Sequence, residues 1–149
     1  GRPFQFVIAG DGNTLFDDTK ARPKIAVDLA AAAEGAGDII GLDAYSGQKG
    51  KKRDFHSIFV EGYNDMLSAD PALKKYAAAI PELGVAQDQV DREGQICTAM
   101  QMPNLRMVIY WDSHGSGGNY KLDTQLANAH CWPQASKVGR TLPLETIVF

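Results

Sequence analysis

Long apolar runs are missing from this chain. The longest, such as Phe6 to Ala9 and Leu29 to Ala33, fall far short of the roughly 20 residues a membrane-spanning helix needs, so no membrane span is expected. An excess of positive charge is missing too. Fifteen Lys and Arg face eighteen Asp and Glu, for a net charge of −3, and such a surface repels a polyanion, so nucleic acid is not expected as a partner. The local exception is residues 48–53, which hold Lys49, Lys51, Lys52 and Arg53 and read as a solvated loop, a phosphate contact or a dibasic processing site.

Cysteine is scarce. There is no C-x-x-C pair and no His-rich spacing, which leaves out the usual structural zinc patterns. Cys97 and Cys131 are either two buried thiols or one disulfide closing a loop of about 34 residues. The chain starts at Gly1 without a basic segment followed by an apolar one, which is compatible with a removed leader, and an extracellular location is the expectation.

What is present is ordinary globular material: 149 residues, 44% hydrophobic and 22% charged, the size and composition of a single domain. The residues 4–9 form an apolar and β-branched run that stops at Gly10-Asp11-Gly12-Asn13 and reads as a first strand. Pro23 opens a helix that runs through the alanines to Gly35 and Gly37, and residues 38–45 follow as a second strand. Residues 56–62 are a third candidate strand. Asp70 and Pro71 then signal an N-cap and first turn for a helix over 72–80, with a further helix expected over 85–100. Residues 105–111 are the strongest late strand, and 144–149 read as an edge strand. The alternation predicts an α/β fold, an open and largely parallel sheet flanked by helices as a three-layer sandwich, in a single domain spanning residues 1–149.

Sheets of this kind bind ligands beyond the carboxyl ends of their strands. Three predicted strands carry an acid there: Asp11, Asp43 and Asp112, with His114 two residues beyond the last. Carboxylates gathered with an imidazole suit general acid–base catalysis or a divalent cation, the candidate cofactor. The expected catalytic set is therefore His114, Asp112, Asp11 and Ser113. Asp43, Asn64 and Gly117 are the expected substrate-binding residues, the last in the glycine-dense loop after residue 112. Trp111, at a strand end, is expected in the core.

Residues 10–14, 61–65 and 112–114 partially resemble the SGNH, or GDSL-type, esterases, which carry Gly-Asp-Ser, Gly-x-Asn-Asp and Asp-x-x-His blocks. Here Gly12 stands at the nucleophile position and the last block is one residue short. Ser113-His114-Gly115 is similar to the His-Gly segment of caspase-like cysteine peptidases, but no apolar strand precedes Cys131. Neither family is assigned. The reading is a small secreted hydrolase-like domain with an acid/His site at its strand ends; the alternative is a secreted non-catalytic toxin or effector-like binding module. Both a small molecule and a protein stay open as partner.

Overall fold

A computed structural model describes residues 7–13, 20–36, 38–47, 54–115, 118–123, 126 and 129–131. Strands β1 (Val7–Asp11), β2 (Ile39–Ser46), β3 (Ala77–Val85) and β4 (Leu105–Tyr110) pair in parallel in the order β1-β2-β3-β4. They alternate with α1 (Arg22–Ala36), a π-helical segment His56–Glu61 that runs into α2 (Gly62–Ala69), a 3-10 turn Pro71–Lys75, and α3 (Arg92–Met100). A hairpin of β5 (His114–Gly115) and β6 (Gly118–Asn119) follows β4. This is the three-layer α/β sandwich expected from the sequence, a parallel sheet flanked by helices. Among the described residues no helix is long and apolar enough to cross a membrane.

The α1 helix buries Ala26, Leu29, Ala30 and Ala33, a stripe at helical spacing whose small side chains let the helix lie close to the sheet. On β2 the side chains alternate. Ile40, Leu42 and Ala44 join the main core, while Ile39, Asp43 and Tyr45 point to the opposite face. That second face is covered as well: Ile39 and Ala79 are buried there outside the main core cluster.

Three expectations for secondary structure are corrected. Residues 56–62 are helical rather than a strand, because Phe55, Ile58, Phe59, Gly62, Tyr63 and Met66 recur at a spacing of three and four and form one buried stripe. The rings of Phe55, Phe59 and Tyr63 stack in succession along it, with centroids 5.1 and 5.5 Å apart.

The expected helix over 72–80 stops at Lys75. Asp70 does cap it, its carboxylate accepting from the Ala72 N–H at 3.0 Å, and Pro71 does occupy the first turn. The alanines beyond belong to β3, which pairs with β2 and β4, and Pro81 sits at a register irregularity that needs no amide donor. Helix α3 starts at Arg92, since residues 87–91 form the turn out of β3 and Asp91 caps the helix through the Gly94 N–H at 3.2 Å.

Cys97 on α3 and Cys131 are joined in a disulfide, so the bridge is the outcome for this pair. It pins residues 129–131 to α3, and Leu126, Ala129 and Cys131 are buried with the main core. Trp111 is 44% exposed, against the expectation that it would be core. Its backbone N–H continues the β4 pairing by donating to the Leu83 carbonyl at 2.8 Å, which leaves the indole beyond the end of the sheet. The basic residues 48–53 and the expected edge strand 144–149 lie outside the described residues.

Candidate functional site

Parallel pairing in register puts Asp11 of β1 beside Asp43 of β2. Both project from the face opposite the main core, since their strand neighbours Gly10 and Leu42 face α1 and the core. On β3 the register shifts between Ile80 and Leu83, and Glu82 in that irregular stretch reaches the same face, where its carboxylate accepts a hydrogen bond from the Tyr45 hydroxyl at 2.5 Å. Three adjacent strands thus contribute an acid to one row.

This crowding has an electrostatic consequence. Partial burial pushes the Asp43 carboxyl up to about 6, with the charges of Glu82 and then Asp11 adding to the rise and a hydrogen bond from the Glu82 backbone opposing it. The Tyr45 phenol is held far above its ordinary range, first by burial and then by its bond to Glu82, so it stays a donor. Tyr120 packs edge-on against Tyr45, ring centroids 5.1 Å apart, and both rings cover Gly84, where even a methyl group would meet them.

The turn after β1 is built around these acids. The Asn13 N–H donates to Asp11 Oδ1 at 2.9 Å, and the Asn13 side-chain amide pairs with the backbone of Tyr45, accepting from its N–H at 3.1 Å and donating to its carbonyl at 3.0 Å. Gly12, between them, runs so close to β2 that a Cβ would lie 2.3 Å from the Asp43 carbonyl oxygen. No side chain fits there. Gly12 is therefore a requirement of the turn, and the serine of the esterase pattern has no room at this position.

The other expected site residues are distributed as follows. Asp112 follows β4, and its Oδ1 accepts from the Leu122 N–H at 2.8 Å, which fixes the return of the chain after the hairpin. Ser113 is half-buried, and its carbonyl accepts from the Tyr120 N–H at 3.0 Å, which ties the hairpin to the ring covering Tyr45. His114 is exposed on β5 opposite Asn119 and is bonded to neither Asp112 nor Asp11. Asn64 is exposed on α2, in the helical layer, with the sheet between it and Asp43. Gly117 lies outside the described residues. The structure thus brings together Asp11 and Asp43 and adds Glu82 and its partner Tyr45; Glu82 was missed because residues 77–80 read as helix, and an acid after proline inside a nine-residue apolar strand was the available signal.

A second polar site surrounds the start of α3. Gln87, Gln89, Asp91, Arg92, Glu93 and Asp123 line a cleft of about 570 Å³. Arg92 in its wall is ion-paired with Asp123 at 2.5 Å and donates to the Lys121 carbonyl at 3.1 Å. Glu93 Oε1 bonds His130 Nδ1 at 2.7 Å, a contact that holds the Glu93 carboxyl below the usual range. The ligand atoms of Glu93, Cys97 and His130 all lie within 4.8 Å of one another, a grouping consistent with a divalent cation, the candidate cofactor. Cys97 is in the disulfide, so it offers no thiolate, and Cys131 is excluded as a nucleophile for the same reason. No family model matches the chain, and no curated protein is similar enough to be matched with it.

Proposed function

We propose that this chain is a small extracellular hydrolase-like domain whose proton-transferring group is Asp43. The observation that carries the reading is the row Asp11, Asp43 and Glu82 across three parallel strands, with Asp43 titrating at about 6. Hydrolysis needs one group that holds a proton near neutral pH and another that is ionised beside it, and environments that separate the titrations of neighbouring carboxyls supply both. In this reading Asp43 is the acid, Asp11 is the neighbouring carboxyl oriented by the Asn13 N–H, and the Tyr45 hydroxyl fixes Glu82. Ser113 is tied to Tyr120, whose N–H donates to its carbonyl, and in this reading the exposed His114 that follows it is assigned a supporting role from the hairpin. The disulfide supports an oxidising, extracellular setting.

The test is a panel of chromogenic esters, phosphodiesters and glycosides with the unaltered chain, D43N and D11N. Turnover of one class with a pH profile inflected near 6, lost at least 100-fold in D43N, is the expected result. No turnover of any class, or equal turnover in D43N, would overturn the reading. A second reading, a secreted non-catalytic toxin or effector-like binding module, is supported by the exposed Trp111, since aromatics of this kind anchor protein contacts. Cell binding retained by D43N and abolished by Trp111→Ala would select it.

A further inference from the structure

The end of the described chain brings two consecutive residues, His130 and Cys131, against two residues one turn apart on α3, Glu93 and Cys97. Residues four apart on a helix share one face, so Glu93 and Cys97 present their side chains to the same side. Glu93 binds His130 through Nδ1, at 2.7 Å, and this leaves Nε2 directed at Cys97 Sγ, 3.9 Å away. A carboxylate holding one ring nitrogen while the other faces a ligand position is the arrangement by which proteins orient a metal-binding histidine. Nitrogen and sulfur on one tetrahedral zinc ion stand about 3.6 Å apart, given bond lengths near 2.05 and 2.3 Å, so Nε2 and Sγ already have nearly that separation.

What the oxidised chain lacks is thiolate, because both sulfurs are consumed in the Cys97–Cys131 bond. We infer that this corner is a redox-gated zinc site: reduction of the disulfide creates a Zn2+ site from Cys97 Sγ, Cys131 Sγ and His130 Nε2, with Glu93 as the residue that positions His130. The chemistry balances with a small-molecule dithiol as reductant. Its two thiols deliver two electrons and two protons to the protein S–S bond, giving two protein thiols and the oxidised cyclic disulfide; binding Zn2+ then releases the two thiol protons to water. Both cysteines are buried whereas His130 is exposed, so the metal enters from the histidine side, next to the polar cleft that Glu93 lines. The fourth coordination position is left to water.

The inference is independent of the proposed hydrolase site, which shares none of these residues. Its test uses the full chain in oxidised form and after dithiol reduction and removal of the reductant under argon. Zn2+ is titrated in competition with a chromogenic chelator, and Co2+ serves as a spectroscopic probe. The expected result is one Zn2+ per reduced chain, at least 100-fold tighter than the oxidised chain, and a sulfur-to-cobalt charge-transfer band in the reduced form only. His130→Ala lowers the affinity of the reduced chain at least tenfold, and Glu93→Gln lowers it about tenfold without removing the band. Equal affinity in the two redox states, or unchanged affinity in His130→Ala, would overturn the inference. So would a reduced chain whose circular dichroism shows it unfolded and which Zn2+ does not refold.

Discussion

Asp11 and Asp43 stand side by side in register on neighbouring parallel strands, and the turn that follows Asp11 runs so close to β2 that a Cβ on Gly12 would lie 2.3 Å from the Asp43 carbonyl oxygen. The acids are therefore fixed by backbone pairing rather than by flexible loops. Rigid elements hold chemical groups to a tighter tolerance than loops do, which is why this row, more than the hairpin carrying His114, is the centre of the functional reading.

Asp43 makes stability depend on pH in a definite direction. Its carboxyl titrates near 3.8 when unfolded and at about 6 when folded, so between those values the folded chain binds more protons than the unfolded one. The favourable contribution is complete below pH 3.8 and is lost as pH rises through 6. Asp43→Asn, which imitates the protonated acid, is expected to stabilise the chain at pH 7.5 by on the order of 1 kcal/mol after allowance for solvent screening. Urea unfolding at pH 7.5 and pH 4 checks this: the gain should be present at the first and absent at the second.

Gly12→Ser restores the residue type of the esterase pattern but should not create an esterase. Its Cβ would lie 2.3 Å from the Asp43 carbonyl oxygen, so β1 and β2 must separate. A loss of about 1 to 3 kcal/mol is expected from such overpacking. Chemical denaturation together with an ester hydrolysis assay gives the answer, and a variant as stable as the parent would contradict the geometry.

Replacing both cysteines by serine removes the covalent tie between α3 and residue 131. Closing a loop of 34 residues restricts the unfolded chain, and the loss of that restriction is expected to lower stability by about 4 kcal/mol in the chain-entropy model. The denaturation midpoint of the double variant under non-reducing conditions measures it.

His114→Ala tests the hairpin separately from the sheet. The side chain is exposed, and stability should change by less than about 0.5 kcal/mol. A fall in hydrolysis with an unchanged melting temperature assigns it to chemistry beside Asp43. A substantial loss of stability would show that the imidazole serves the fold.

Much was legible in the linear sequence because local signals agreed with the final packing. The apolar runs of β1, β2 and β4, the alanine stripe of α1 and the Asp70–Pro71 cap all follow from periodicity, turn residues and the alternation of strands with helices, whereas the register that sets Asp11 beside Asp43 came from the pairing of the strands. Other features required the whole molecule. Residues 77–80 have the composition of a helix, yet they lie in a central strand because pairing with β2 and β4 and burial of both faces outweigh the local helical preference, and Glu82 reached the acid row as a consequence. Residues 56–61 have the composition of a strand but are helical because Ile58 and Phe59 bury on one helical face, where Phe59 stacks between Phe55 and Tyr63. The contacts of Cys97, Cys131, Glu93 and His130 span more than thirty residues, and no local pattern encodes a contact that forms only when α3 and the chain near residue 130 pack together. Sequence fixes what each segment prefers; packing decides which preference prevails, since a short segment's propensity amounts to a few kcal/mol at most and burial of its side chains outweighs it.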